Sequence, residues 1–176
     1  MAVLKFCSID KDPYNDPKNP LLIKAIITYI LRAKEDQNTH VRFYGGRNFI
    51  IGSLQDIITQ FYTVRNVYHK GETIQGRHFV LSFSSEYENV TPYQAALIAE
   101  NICDDLSDGY QIIYAVHEDT DNLHVHFFIN STCIYNGKML NYGKQKLYEI
   151  RSVIELQLKI PSLWCGARPM RLFCDY

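Results

Sequence analysis

The stretch from Tyr110 to Ile134 constrains the fold of this chain more than any other. Tyr110–Val116 and Leu123–Ile134 are apolar runs rich in β-branched and aromatic residues. A short polar connection, Glu118-Asp-Thr-Asp-Asn122, joins them and has the composition of a turn. Two such runs with so short a link pair antiparallel. The second run carries His124 and His126 two positions apart, so both imidazoles project from one face of the strand while Val125 and Phe127 point to the other. His117 ends the first run, and the returning chain sets it beside the His-x-His pair. Three neutral imidazoles on one side fill half of an octahedral shell or three quarters of a tetrahedral one. The open positions then accept water or a substrate oxygen. A lone strand histidine is ordinarily a surface or core residue. Here half of the chain's six histidines fall within ten positions, and that clustering is what points to a divalent metal.

Around this hairpin the chain alternates strands and helices. Val3–Ile9 alternates as a first strand, and the proline-rich stretch 10–20 is a loop. Leu21–Lys34 has apolar residues at helical spacing, with Pro20 at its start. Arg42–Ile51 contains Gly45-Gly46, read as a turn between short extended pieces. Ser53 caps a helix over 54–68 that ends near His69-Lys70-Gly71. Gln75–Ser84 is a strand. Thr91-Pro92 opens a helix to about Leu106, and Asn136-Gly137 is a hairpin signal folding 138–141 back. Gly143–Lys159 is a final helix. The order predicts one α+β domain over 1–176: a central antiparallel sheet of about five strands with helices on its faces.

Composition limits the function classes. At 47% hydrophobic residues and a formal net charge of −1, the chain is neither disordered nor uniformly basic. No Lys or Arg occurs from His78 to Gly137, whereas Lys138, Lys144, Lys146, Arg151, Lys159, Arg168 and Arg171 follow. That asymmetry leaves room for a basic surface at the C-terminal end. The five cysteines form no CxxC pair, which suits intracellular thiols. The N-terminus is too polar for a signal peptide and no apolar run spans a membrane, so the expected location is cytoplasmic.

His117-Glu-Asp-Thr-Asp-Asn-Leu-His-Val-His-Phe-Phe-Ile-Asn130 resembles the third motif of the relaxase/mobilisation nuclease family of the HUH endonuclease superfamily. His78-Phe-Val-Leu-Ser-Phe83, followed by Thr91-Pro92, resembles the family's middle segment. Lys24-Ala-Ile-Ile-Thr-Tyr-Ile-Leu31 resembles its first motif, a helix that carries a nucleophilic tyrosine. The resemblance runs from about residue 3 to 158. It implies a metal held by His117, His124 and His126, with Tyr29 as nucleophile. It further implies nicking of one strand of single-stranded or hairpin origin-of-transfer DNA, with a 5′-phosphotyrosine link that allows rejoining. Accessory relaxosome proteins and a coupling protein are the partners it suggests, without membrane insertion. Manganese or magnesium fits the family, while zinc or manganese suits three histidines alone. Family members usually continue into a long C-terminal region, so the resemblance implies either truncation before one or a naturally short member.

Several residues keep more than one role at this stage. Asp119 is a candidate general base, an orienter of an imidazole, or a turn residue; Asp121 suits the turn. Asn122 shares the orienting and turn readings. His78 begins a strand near the site and is a candidate to support it, whereas His40 and His69 read as structural or surface residues. From spacing alone Tyr29 packs with Ile26 and Ala33 in a core. Tyr44, Tyr62 and Tyr14 are the other candidates for the nucleophile. Rolling-circle replication initiators and single-stranded DNA transposases share the His-x-His site but place tyrosine after it, where Tyr148 stands. A non-catalytic DNA-binding module is the remaining alternative.

Overall fold

The computed structural model describes residues 2–6, 18–31, 41–83, 90–140, 144–158 and 163–164. The elements run β1 (Ala2–Phe6), α1 (Leu22–Ile30), β2 (Val41–Arg47), α2 (Leu54–Val67), β3 (Gly76–Phe83), α3 (Pro92–Ser107), β4 (Tyr110–His117), β5 (His124–Cys133), α4 (Lys144–Leu158) and β6 (Leu163–Trp164). The strands form one sheet in the order β2-β4-β5-β3-β1-β6. The first five pair antiparallel, and the two-residue β6 lies parallel to β1. β5, the histidine strand, is central as expected, held between β4 and β3.

Period-two alternation along β5 divides the molecule into two cores. Val125, Phe127 and Ile129 join Phe79, Leu81 and Phe83 of β3 beneath α3 and α4, with Ala95, Ala99, Ile102, Ile150 and Ile154. Phe79 and Phe127 stack there at 4.7 Å. On the opposite face Phe128, Ile113 and Ala115 pack under α1 and α2 through Ile23, Ile26, Ile27, Ile30, Ile57 and Phe61. Local signals account for the helix starts. Ser53 and Asp56 form a reciprocal capping box on α2, and Thr91 and Gln94 form another on α3 with Pro92 in the first turn.

One expectation changes. Gly45-Gly46 is no turn, since β2 runs straight through it. A Cβ at Gly45 would lie 2.5 Å from Glu100 Oε1 and 2.9 Å from the Tyr114 ring, and one at Gly46 would lie 1.9 Å from Ile112 O. The glycines admit close neighbours rather than a reversal. Beyond Asn136-Gly137 the chain folds back as expected, through an antiparallel bridge between Thr132 and Met139 and hydrogen bonds from Cys133 N to Lys138 O at 3.0 Å and from Leu140 N to Ser131 O at 2.7 Å. The expected extension of the first helix to Lys34 lies outside the described residues.

Buried Arg65 of α2 anchors the loop into β3. Its guanidinium donates to Ile74 O at 3.0 Å, Gln75 O at 3.2 Å, Ser131 Oγ at 2.8 Å and Thr132 Oγ1 at 3.1 Å, and it also bonds Lys70 O. Burial pushes its pKa down to about 10. Asn130, which closes the histidine motif, is also structural: its amide donates to Phe61 O at 3.1 Å and Gln111 Oε1 at 2.8 Å, tying α2 to β5.

Candidate metal centre

The register of the hairpin places His117 opposite His124 and Ala115 opposite His126. All three histidines therefore share the face that α1 and α2 partly cover. Their ring centroids are 4.5 Å apart for His117 and His126, 5.0 Å for His124 and His126, and 5.3 Å for His117 and His124. One ring nitrogen from each lies within 4.8 Å of the other two.

The remaining nitrogens have defined neighbours. Nε2 of His117 is 2.6 Å from Ile30 O, Nδ1 of His124 is 3.0 Å from Asn122 O, and Nδ1 of His126 is 2.8 Å from Nε2 of His78. A carbonyl only accepts, so His117 carries its proton on Nε2 and His124 on Nδ1. The lone pairs of Nδ1 of His117 and Nε2 of His124 are then available for an ion. Such outer contacts are how proteins fix the tautomer of metal-binding histidines. The donor set thus fits a divalent ion held by three imidazoles.

Asp119 comes within 3.6 Å of Nε2 of His124 through Oδ1. It approaches the nitrogen left open to an ion and not Nδ1, which faces the Asn122 carbonyl. The orienting role weighed for these turn residues therefore falls to the Asn122 main chain, with Thr120 Oγ1 at 3.4 Å from the same nitrogen. Thr120 also donates to Asn122 O at 2.9 Å, which stiffens the turn.

Tyr29 is 47% exposed, whereas Ile26 and Ile30 beside it are buried. It is therefore not packed in the core as its spacing suggested. Its ring meets His126 edge-on at 5.3 Å and His78 at 6.2 Å. Because Ile30 O receives His117, the last turn of α1 is fastened to the histidine cluster at two adjacent residues.

The other tyrosines are placed differently. The Tyr62 hydroxyl donates to Pro20 O at 2.6 Å and accepts from Lys24 N at 3.4 Å, joining α2 to the start of α1. Tyr44 pairs with Ala115 on the histidine face, separated from β5 by β4. Tyr148 sits on α4, whose buried Ile150 and Ile154 belong to the opposite face of the sheet. Tyr14 lies outside the described residues. The basic C-terminal helix is also on that opposite face, and its Arg151 pairs with Glu155 at 2.7 Å. Lys159, Arg168 and Arg171 lie outside the described residues.

His78 was the supporting residue hardest to read from sequence, since a single strand histidine carries little information. Burial, and secondarily the charge of His117, push its pKa down to about 4, so it is neutral at neutral pH. Ile30 O and Asn122 O left no signal at all, because any residue supplies a carbonyl.

Comparison with known proteins agrees with this geometry. A family model described as "Relaxase: MobA/VirD2-like, nuclease domain" matches residues 29–159, beginning at Tyr29. The chain is 30% identical over 93 residues to Protein rlx of Staphylococcus aureus, covering 53% of this chain and 28% of that protein. It is 35% identical over 101 residues to Protein TraI of Escherichia coli, covering 56% and 13% respectively. To the group II intron-interrupted relaxase LtrB of Lactococcus lactis subsp. cremoris it is 32% identical over 74 residues, covering 42% and 13%. The chain thus spans well under a third of these relatives' lengths. A solved structure described as "Molecular Basis of Vancomycin Resistance Transfer in Staphylococcus aureus" shares the fold with a TM-score of 0.56 at 14% identity, covering 90% of this chain and 92% of that one. With the family match extending over most of the sequence, this chain belongs to the MobA/VirD2-like relaxase nuclease-domain family.

Proposed function

We propose that residues 1–176 form a single nuclease domain that nicks single-stranded or hairpin DNA at an origin of transfer, with Tyr29 as nucleophile and His117, His124 and His126 as metal ligands. The observation that carries this reading is the edge contact of Tyr29 on His126 at 5.3 Å. It brings an exposed phenol to the rim of a three-imidazole donor set.

A phosphodiester resists attack because its own oxygens repel nucleophiles. A divalent ion, manganese or magnesium by family, neutralises that charge when bound and stabilises the transition state. The chain's residues do the rest. Tyr29 Oη forms a bond to phosphorus as the bond from phosphorus to the 3′ oxygen breaks. Asp119, beside His124, takes the phenolic proton, and the departing 3′ oxygen gains one from water. The 5′ phosphate stays on Tyr29, which preserves the bond energy for rejoining. In-line attack needs an unpaired, bendable backbone, so single strands should bind better than blunt duplex and bind less well as salt rises. Accessory relaxosome proteins and a coupling protein complete the proposed mobilisation role.

A randomised single-stranded oligonucleotide pool incubated with manganese should yield a covalent protein–DNA species on a denaturing gel. His124→Ala should yield none while keeping the native far-UV spectrum. An adduct of undiminished yield in that variant would overturn the metal centre.

A further inference from the structure

We propose that His78 is a positioning residue that selects the ligating tautomer of His126. This rests on the metal reading above. His78 lies on β3, where Val80 is the residue paired with His126, so His78 is a same-face diagonal neighbour of that ligand. The two rings are nearly parallel at 18° with centroids 5.1 Å apart, and Nε2 of His78 is 2.8 Å from Nδ1 of His126.

Neutral imidazole has one N–H and one lone pair. Two arrangements satisfy a hydrogen bond between these nitrogens. In one, Nδ1 of His126 donates to His78, and the lone pair on Nε2 of His126 turns toward His117 and His124. In the other, His78 donates, and His126 aims an N–H at the same space, where it repels a cation. The other two ligands face carbonyls, which leave them no such choice. His126 instead meets a second imidazole, which can either donate or accept. His78 must therefore keep its proton on Nδ1 and offer Nε2 as acceptor. The Tyr29 ring leans on both histidines, so the pair that fixes the ligand also seats the phenol.

The test reads tautomers and metal affinity, not nicking. Long-range nitrogen–proton NMR of the metal-free wild-type protein should show His126 protonated at Nδ1 and His78 protonated at Nδ1. A His126 protonated at Nε2 would overturn the proposal without any variant. Calorimetric titration with manganese should give affinity weaker by about 10–100-fold in His78→Phe, which keeps a ring but no acceptor, as for other outer partners of metal ligands. His78→Gln, whose side-chain carbonyl can accept, should recover part of the loss. Equal affinity in wild type and His78→Phe, or no recovery in His78→Gln, would refute the role. Wild-type protein that binds no manganese would instead refute the metal centre itself.

Discussion

Replacing Tyr29 by Phe isolates one oxygen atom. The ring contacts with His126 at 5.3 Å and His78 at 6.2 Å involve the ring and survive the change. At 47% exposure the residue lies at the surface, away from the isoleucines that hold α1 down. Surface changes of this kind typically shift stability by no more than about 0.5 kcal/mol. In a domain of this size that moves the thermal midpoint by about 1–2 °C. Catalysis should respond very differently. Tyr62 has its hydroxyl engaged at Pro20, and Tyr148 sits across the sheet, so neither can substitute. Tyr29→Phe should fold, bind manganese with wild-type affinity and form no covalent adduct. Mass spectrometry of the wild-type adduct should place DNA on the peptide containing Thr28-Tyr29-Ile30. DNA found on another tyrosine, such as Tyr44 opposite Ala115, would refute the assignment. So would nicking that persists in Tyr29→Phe without an adduct, since water would then be the nucleophile.

Three further outcomes follow from the same geometry. Arg65→Met should cost at least about 3 kcal/mol in urea unfolding, because several buried carbonyl and hydroxyl acceptors lose their donor together; a loss below about 1 kcal/mol would show that they find other donors. The Asp56 carboxylate is held below the usual range by the Ser53 hydroxyl and backbone N–H. A depressed carboxylate stabilises above its unfolded pKa of about 3.9 and loses that contribution as pH falls through its folded value. Amides at the start of α2 should therefore exchange faster at pH ~3 than the intrinsic rate change explains, and Ser53→Ala should abolish the pH dependence. Finally, magnesium or zinc should slow amide exchange at the end of α1 more than in α3, since an ion on Nδ1 of His117 holds the proton on Nε2 that Ile30 O accepts; equal slowing in both helices would refute that link.

What the sequence made legible was local. The hairpin, the shared face of His124 and His126, and the caps at Ser53 and Thr91 each depend on residues a few positions apart. What it concealed depends on distant partners. Gly45-Gly46 looked like a turn because the reason for glycine there is Tyr114 and Glu100, more than fifty positions away. Tyr29 looked like a core residue because its spacing from Ile26 and Ala33 is helical, yet the buried face of α1 runs through Ile23, Ile26, Ile27 and Ile30. The basic C-terminal run left room for a basic surface, and only the topology shows that α4 packs on the face of the sheet opposite the histidines. Carbonyl partners such as Ile30 O are invisible to residue type altogether.

The alternation of β5 ties the histidine face of the sheet to the core on its opposite face. The histidines on this strand alternate with residues locked in the opposite core: Val125 lies between His124 and His126, and Phe127 follows His126. A backbone shift that moved His126 by even a fraction of an ångström would drag Phe127 against Phe79, with which it stacks at 4.7 Å. Cores packed to crystal-like density resist such motion. The second strand of the hairpin is held in the same way, since Ile112, Tyr114 and Val116 face that core while Ala115 and His117 face the site. The α3 and α4 layer, which packs on the opposite face of the sheet, therefore helps to fix the positions of all three histidines. On the other face, α1 contributes both a carbonyl to His117 and the Tyr29 ring to His126. The three imidazoles and the Tyr29 ring are thus referenced to one strand pair, which is the precision that the proposed in-line attack would demand.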